Sequence, residues 1–156
     1  MRTLVGILAL SLTSVIHADS TVPFHASINT APVVVGGSPT TLELDIPGTG
    51  EGTHVGQLQI DGPSHVDLVT TIQTGSSTLT AADGSSFDFS FVGTVHLTGP
   101  APTDLVTFQG TWHVTSGTGR FEDVSGGGTY HGSAQGPAGV LILDGSLSNP
   151  GKKKKT

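Results

Sequence analysis

Apolar residues recur at every second position along most of this chain, between breaks of Gly, Pro, Asp and Ser. That period belongs to a strand with one buried face. Phe24, Ala26 and Ile28 alternate with His25 and Ser27, and Leu42, Leu44 and Ile46 with Thr41, Glu43 and Asp45. Gly56, Leu58 and Ile60 alternate with Gln57 and Gln59, and Val66, Leu68, Thr70 and Ile72 with His65, Asp67 and Thr71. No segment carries a sustained 3.6-residue apolar period.

The middle of the chain is the clearest. Phe87, Phe89, Phe91, Gly93, Val95 and Leu97 share one face, and Val106, Phe108, Gly110, Trp112 and Val114 share another. A hairpin across residues 99–104 that sets Leu97 opposite Val106 also sets Val95 opposite Phe108, Gly93 opposite Gly110, Phe91 opposite Trp112 and Phe89 opposite Val114. Every apolar residue then falls on one side, which is what selects a register. The glycine pair marks a point where the sheet can bend. A second hairpin is expected across Asp61-Gly62-Pro63-Ser64, with Ile60 opposite Val66 and Leu58 opposite Leu68. A third joins 128–135 to 140–148 across Gly136-Pro137-Ala138-Gly139. The run Val140-Leu141-Ile142-Leu143 leaves its register open and predicts a strand covered on both faces.

Eight or nine strands with short connections are too many for an open sheet of this size. The pattern therefore predicts an all-β fold, an eight-stranded antiparallel β-barrel, because closure removes the edges. A two-sheet β-sandwich is the alternative. A membrane barrel fits less well, since its lipid face needs continuous apolar residues between aromatic girdles. Gly117 and Gly119 let a strand leave the barrel, and Arg120 to Val124 predicts one short helical turn near 119–124, with Phe121 and Val124 facing inward as a plug.

Composition narrows the function classes. The chain has 156 residues and no Cys, which excludes a disulfide scaffold and a Cys-based zinc site. Residues 1–18 read as a secretory signal: Met1-Arg2-Thr3, an apolar run from Leu4 to Ile16, and a cleavage site at Ala18. The expected product, residues 19–149 with a flexible Lys-rich tail at 150–156, is secreted or periplasmic. Its body holds one cation, Arg120, against all twelve carboxylates. Such a body repels phosphate backbones, so no nucleic-acid partner and no membrane insertion are expected. Lys152 to Lys155 form either a contact to an anionic surface or a solubilising tail.

Candidate chemistry is sparse. Arg120 is either the partner of Glu122, Asp123 or another acid that anchors the turn, or the contact for a ligand carboxylate at the barrel mouth. Six histidines remain after the signal: His25, His54, His65, His96, His113 and His131. By parity only His54 shares a face with Gly56, Leu58 and Ile60, which makes it the one candidate functional histidine. His65 and Asp67 form a possible two-ligand clip, but no spacing specifies a third ligand, so surface histidines are the expected reading. Neither a phosphate loop nor a dinucleotide fingerprint is present, because Glu122 stands where the third glycine is needed. There is no Gly-x-Ser-x-Gly elbow and no EF-hand loop. No metal and no cofactor is expected.

Three stretches together carry a family resemblance: Thr53-His54-Val55-Gly56 through His65-Val66-Asp67-Leu68, then Leu79 to Gly84, and above all Gly117-Thr118-Gly119-Arg120-Phe121 running on to Gly126-Gly127-Gly128-Thr129-Tyr130-His131-Gly132. The chain from about Pro23 to Ser148 resembles the exported bacterial proteins with an allene oxide cyclase-like (dirigent-like) barrel. The resemblance implies an eight-stranded antiparallel barrel that binds a hydrophobic or phenolic small molecule inside it. It carries no catalytic residue onto this chain. The expected ligand contacts are the inner-face residues His54, Phe87, Phe89, Phe91, Phe108 and Trp112, together with Arg120. A structural envelope protein without ligand, and an isomerase or cyclase using Asp144 and His54 as inward acid and base, are the competing readings.

Overall fold

A computed structural model describes residues 20–99 and 103–148. The signal reading of residues 1–18 and the Lys-rich tail lie outside the described residues.

The described chain is almost entirely strand: β1 (Thr21–Thr30), β2 (Val33–Ser38), β3 (Thr41–Asp45), β4 (Gly48–Gly52), β5 (Gly56–Asp61), β6 (Pro63–Asp67), β7 (Ile72–Ala81), β8 (Ser86–Leu97), β9 (Val106–Gly117), β10 (Gly126–Gln135) and β11 (Ala138–Ser148). One 3-10 turn, Gly119–Phe121, stands between β9 and β10. The first six segments are three long strands, each bent in the middle. β1 pairs with β4 while β2 pairs with β3, and β4 pairs with β5 while β3 pairs with β6. Both β5 and β6 then pair with β7. The result is an up-and-down meander that closes into an eight-stranded antiparallel barrel when β11 returns to β1.

The bends form a crease across three neighbouring strands. Pro32 lies between β1 and β2, Pro47 lies between β3 and β4, and Gly62 separates β5 from β6, which opens on Pro63. A proline has no N–H to give to a ladder, so strands break or bend there. The crease stays knitted by Ala31 N–H donating to Pro47 O (2.8 Å) and Ile46 N–H donating to Gly62 O (3.0 Å). It divides the barrel into a closed half, built on β1, β4 and β5, and a flared half, built on β2, β3 and β6.

The central hairpin has the register expected from its apolar faces: Leu97 opposite Val106, Val95 opposite Phe108, Gly93 opposite Gly110, Phe91 opposite Trp112 and Phe89 opposite Val114. A bulge follows Phe89 toward the closed end, where Asp88 faces Ser116. The expected second hairpin is corrected. Asp61 to Ser64 bends the strand instead of reversing it, and Ile60 lies opposite Leu79 and Gly48. The reversal comes later, where Asp67 Oδ1 accepts the amides of Val69 (2.8 Å) and Thr70 (2.9 Å) and Thr71 takes φ 60°. That left-handed residue shifts the alternation by one, so Ile72 faces out and Gln73, Ser77, Leu79 and Ala81 face in. The run from Val140 to Leu143 is also corrected. It alternates like any other strand, with Leu141 and Leu143 buried and Val140 42% exposed.

Candidate functional site

All six Phe, the one Trp and the one Tyr form a single chain of ring contacts along the barrel. Phe121 packs edge-on to Phe87 (5.5 Å between centroids), Phe87 to Phe24 (6.0 Å), and Phe24 to Trp112 (5.6 Å). Trp112 meets Phe89 (5.8 Å), Phe89 meets Phe91 (6.3 Å), and Tyr130 joins both Phe91 (5.6 Å) and Phe108 (6.4 Å). The edge-to-face pairs among them add about 0.5–1.5 kcal/mol each beyond the area they bury.

The two ends of this chain of rings behave differently. In the closed half Phe24, Phe87, Trp112 and Phe121 fill the lumen, with Val55, Leu58, Val124 and Leu147 around them. The Trp112 indole N–H donates to the carbonyls of Thr129 (3.1 Å) and Asp144 (3.2 Å), so no polar atom of that ring is left open. In the flared half the rings lie back against glycines of neighbouring strands. Phe91 covers Gly75, Phe108 covers Gly132, and Tyr130 covers the Gly93–Gly110 pair. A Cβ at any of these glycines would collide with the ring above it. The missing side chains let the rings become wall, and the lumen between them stays open.

The space so left is a cavity of about 470 Å³. Its floor is Phe89, Leu143 and Ile60, its walls include Phe91, Phe108, Val95 and Leu141, and its mouth lies among Val33, Leu42, Leu68, Leu97 and Pro137. Its described lining contains no Asp, Glu, His, Lys or Arg. Four polar side chains reach it: Thr30, Gln73, Ser77 and Tyr130. Tyr130 donates its hydroxyl to Gln73 Oε1 (3.1 Å), and Gln73 Nε2 donates to Ser64 Oγ (3.0 Å). Burial pushes the Tyr130 hydroxyl up to about 12, so it is a neutral donor across the physiological range.

No protein-family model, curated protein or solved structure matches this chain.

The expected site residues divide between the two halves. Phe89, Phe91 and Phe108 line the cavity. Phe87 and Trp112 are on the same face of the sheet but lie in the packed closed half. His54 is corrected. It takes φ 65° in the turn between β4 and β5, points outward, and sets its Nε2 3.1 Å from Pro23 O, while Val55 takes the inward place. A left-handed residue breaks the two-residue period on which the parity argument depended. Asp144 is also on the outer face, where its Oδ1 pairs with His25 Nδ1 at 2.7 Å.

Arg120 lies at the closed end, where the helical turn plugs the barrel. Its guanidinium donates to His54 O (2.6 Å) and Val55 O (3.3 Å), lies 4.5 Å from the Phe121 ring centroid, and holds Asp83 Oδ2 3.0 Å from Nε. The Asp83 contact is an ion pair without hydrogen-bond alignment, because Nε has no aligned acceptor. Asp83 sits below the usual carboxylate range, held there chiefly by the Ser85 amide and then by the Arg120 charge. Arg120 thus ties the β4–β5 turn to the plug.

The histidines found no metal geometry. His65 pairs with Glu43 across β3 and β6, and Asp67 is engaged in its turn. Among the described residues no group of three or more His, Cys, Asp or Glu is placed to hold an ion. Sequence reasoning missed Gln73, Ser77 and Tyr130. The signal for Tyr130 was present, since Gly128, Tyr130 and Gly132 alternate and it is the one Tyr. Gln73 and Ser77 carried no such signal, because the phase of β7 is set by the backbone at Thr71.

Proposed function

We propose that this protein is exported and binds a small hydrophobic molecule in the flared half of its barrel. One observation carries the reading: an apolar cavity of about 470 Å³ stands open in a barrel whose other half is packed solid with rings. An eight-stranded barrel is just wide enough to be filled by its own side chains or to hold one small ligand. Here Gly75, Gly93, Gly110 and Gly132 accommodate rings that would otherwise occupy the lumen. The cavity lies in the size range of small-molecule sites, with a few polar groups on an apolar wall.

The resemblance to allene oxide cyclase-like barrels supports the same reading, and residues 1–18 support export. Binding is favoured over an isomerase or cyclase. Acid–base catalysis needs a group that titrates near the working pH. The one ionisable side chain among the described lining residues is Tyr130, held neutral by burial.

The test is native mass spectrometry on mature protein taken from its own source without refolding. A reproducible extra mass lost on gentle activation is the expected result, and titration with N-phenyl-1-naphthylamine should show saturable fluorescence enhancement. A bare mass together with no enhancement would refute binding and favour a structural role.

A further inference from the structure

We propose that the cavity selects an electrically neutral molecule with a single hydrogen-bonding group, an alcohol or a carbonyl on an apolar skeleton, and seats that group on Ser77. This deepens the binding reading above and rests on it. Two observations carry it.

The first is the hydrogen-bonding state of the polar wall. Tyr130, Gln73 and Ser64 are joined in one relay, and Thr30 Oγ1 lies against Gly139 where β1 meets β11. Ser77 does not belong to the relay. It lies on the same inward face of β7 as Gln73, opposite Phe89 near the cavity floor, and is 5% exposed. Its hydroxyl makes no hydrogen bond to any described residue. The hydroxyl opens onto the cavity, so its hydrogen-bonding partner is whatever enters there. An oxygen of the occupant placed on Ser77 supplies the missing partner.

The second is charge. No cation lines the cavity among the described residues, and Arg120 is committed to the opposite end of the barrel through His54 O, Val55 O and Asp83. An ionised carboxylate entering this cavity would lose its water and gain no counter-charge. An alcohol of the same length loses far less hydration and keeps the Ser77 bond. The mouth, among Val33, Leu42, Leu68 and Leu97, then surrounds the apolar tail.

The experiment is competition at pH 8 against N-phenyl-1-naphthylamine, with dodecan-1-ol, methyl dodecanoate and dodecanoate as competitors. The alcohol and the ester should displace the probe at concentrations at least tenfold below dodecanoate. Ser77→Ala should weaken dodecan-1-ol several-fold, computed from displacement with the probe affinity measured directly for each variant, and keep the melting temperature near that of the parent. Dodecanoate binding as tightly as the alcohol would overturn the charge argument while the binding reading stands. Unchanged alcohol affinity in Ser77→Ala would overturn the assignment of Ser77. Failure of the probe and of all three competitors to bind would overturn the binding reading itself, and this inference with it.

Discussion

Truncating a ring should have very different consequences in the two halves of this barrel. Phe121 is fully buried, its ring packs on Phe87 at 5.5 Å, and the Arg120 guanidinium lies over its face at 4.5 Å. Phe121→Ala removes a buried ring from a backbone held close against Gly117, among the packed rings of the closed half. Phe-to-Ala changes of this kind destabilise by about 3–5 kcal/mol. Lost cation–π contact adds roughly 0.5–1 kcal/mol. For a domain of this size each kcal/mol lowers the melting temperature by about 3–5 °C, so the expected fall is about 10–30 °C. Phe91→Ala is the comparison. Its ring is half-buried and already borders open space, so truncation enlarges an existing cavity and should cost only about 1–2 kcal/mol. Thermal unfolding followed by Trp112 emission measures both. Equal losses for the two variants, or a fall below about 5 °C for Phe121→Ala, would refute the division into a packed half and an open half.

Arg120→Ala should lower stability by about 1–2 kcal/mol, the scale of two hydrogen bonds to backbone carbonyls, and leave probe affinity unchanged because the cavity is at the other end. Lost binding with an unchanged melting temperature would reverse that assignment. Tyr130 is the one Tyr, so absorbance near 295 nm reports it alone. Its folded value is raised to about 12 against an ordinary 10, so its contribution is intact below pH 10 and disappears as pH rises toward 12. A tyrosinate signal complete by pH 10.5 in folded protein would contradict its burial. Asp88 is held below the usual carboxylate range by the hydroxyls of Ser116 and then Thr78. A depressed carboxylate stabilises the fold above its unfolded value near 4, and the effect vanishes as pH falls through the folded value. Urea midpoints of the parent and Asp88→Asn should therefore differ at pH 7 and draw together as pH falls below about 4.

The sequence made the barrel legible because inward and outward residues alternate wherever a strand is regular. The register of β8 with β9 followed from Phe87 to Leu97 and Val106 to Val114 alone. Errors came where the backbone broke the alternation. His54 and Thr71, both with positive φ, each displaced the phase by one, moving His54 out and Gln73 in. Asp61-Gly62-Pro63-Ser64 has turn composition, but its neighbours on both sides keep pairing, so it bends and continues. The candidate site was half legible for a different reason. Phe87 and Phe91 lie on one face of one strand, and nothing in their spacing says which ring is core and which is wall. That depends on what lies opposite: Gly75 gives Phe91 a place to lie flat, whereas Phe87 has Phe24 and Phe121 around it.

The pairing of β1 with β11 joins ten residues near the start of the described chain to ten near its end. Every other ladder of the meander links segments that are close neighbours in sequence, so each can form as a local hairpin. The seam cannot. Contacts between distant segments must overcome the largest loop-closure entropy and form slowly. Folding should thus run as a curling sheet that closes last, with Ala26, Ile28, Leu141 and Leu143 exposed to water until it does. In that interval both free edges can accept a strand from another chain, so yield on refolding should depend on protein concentration more steeply than the stability of the finished barrel would suggest.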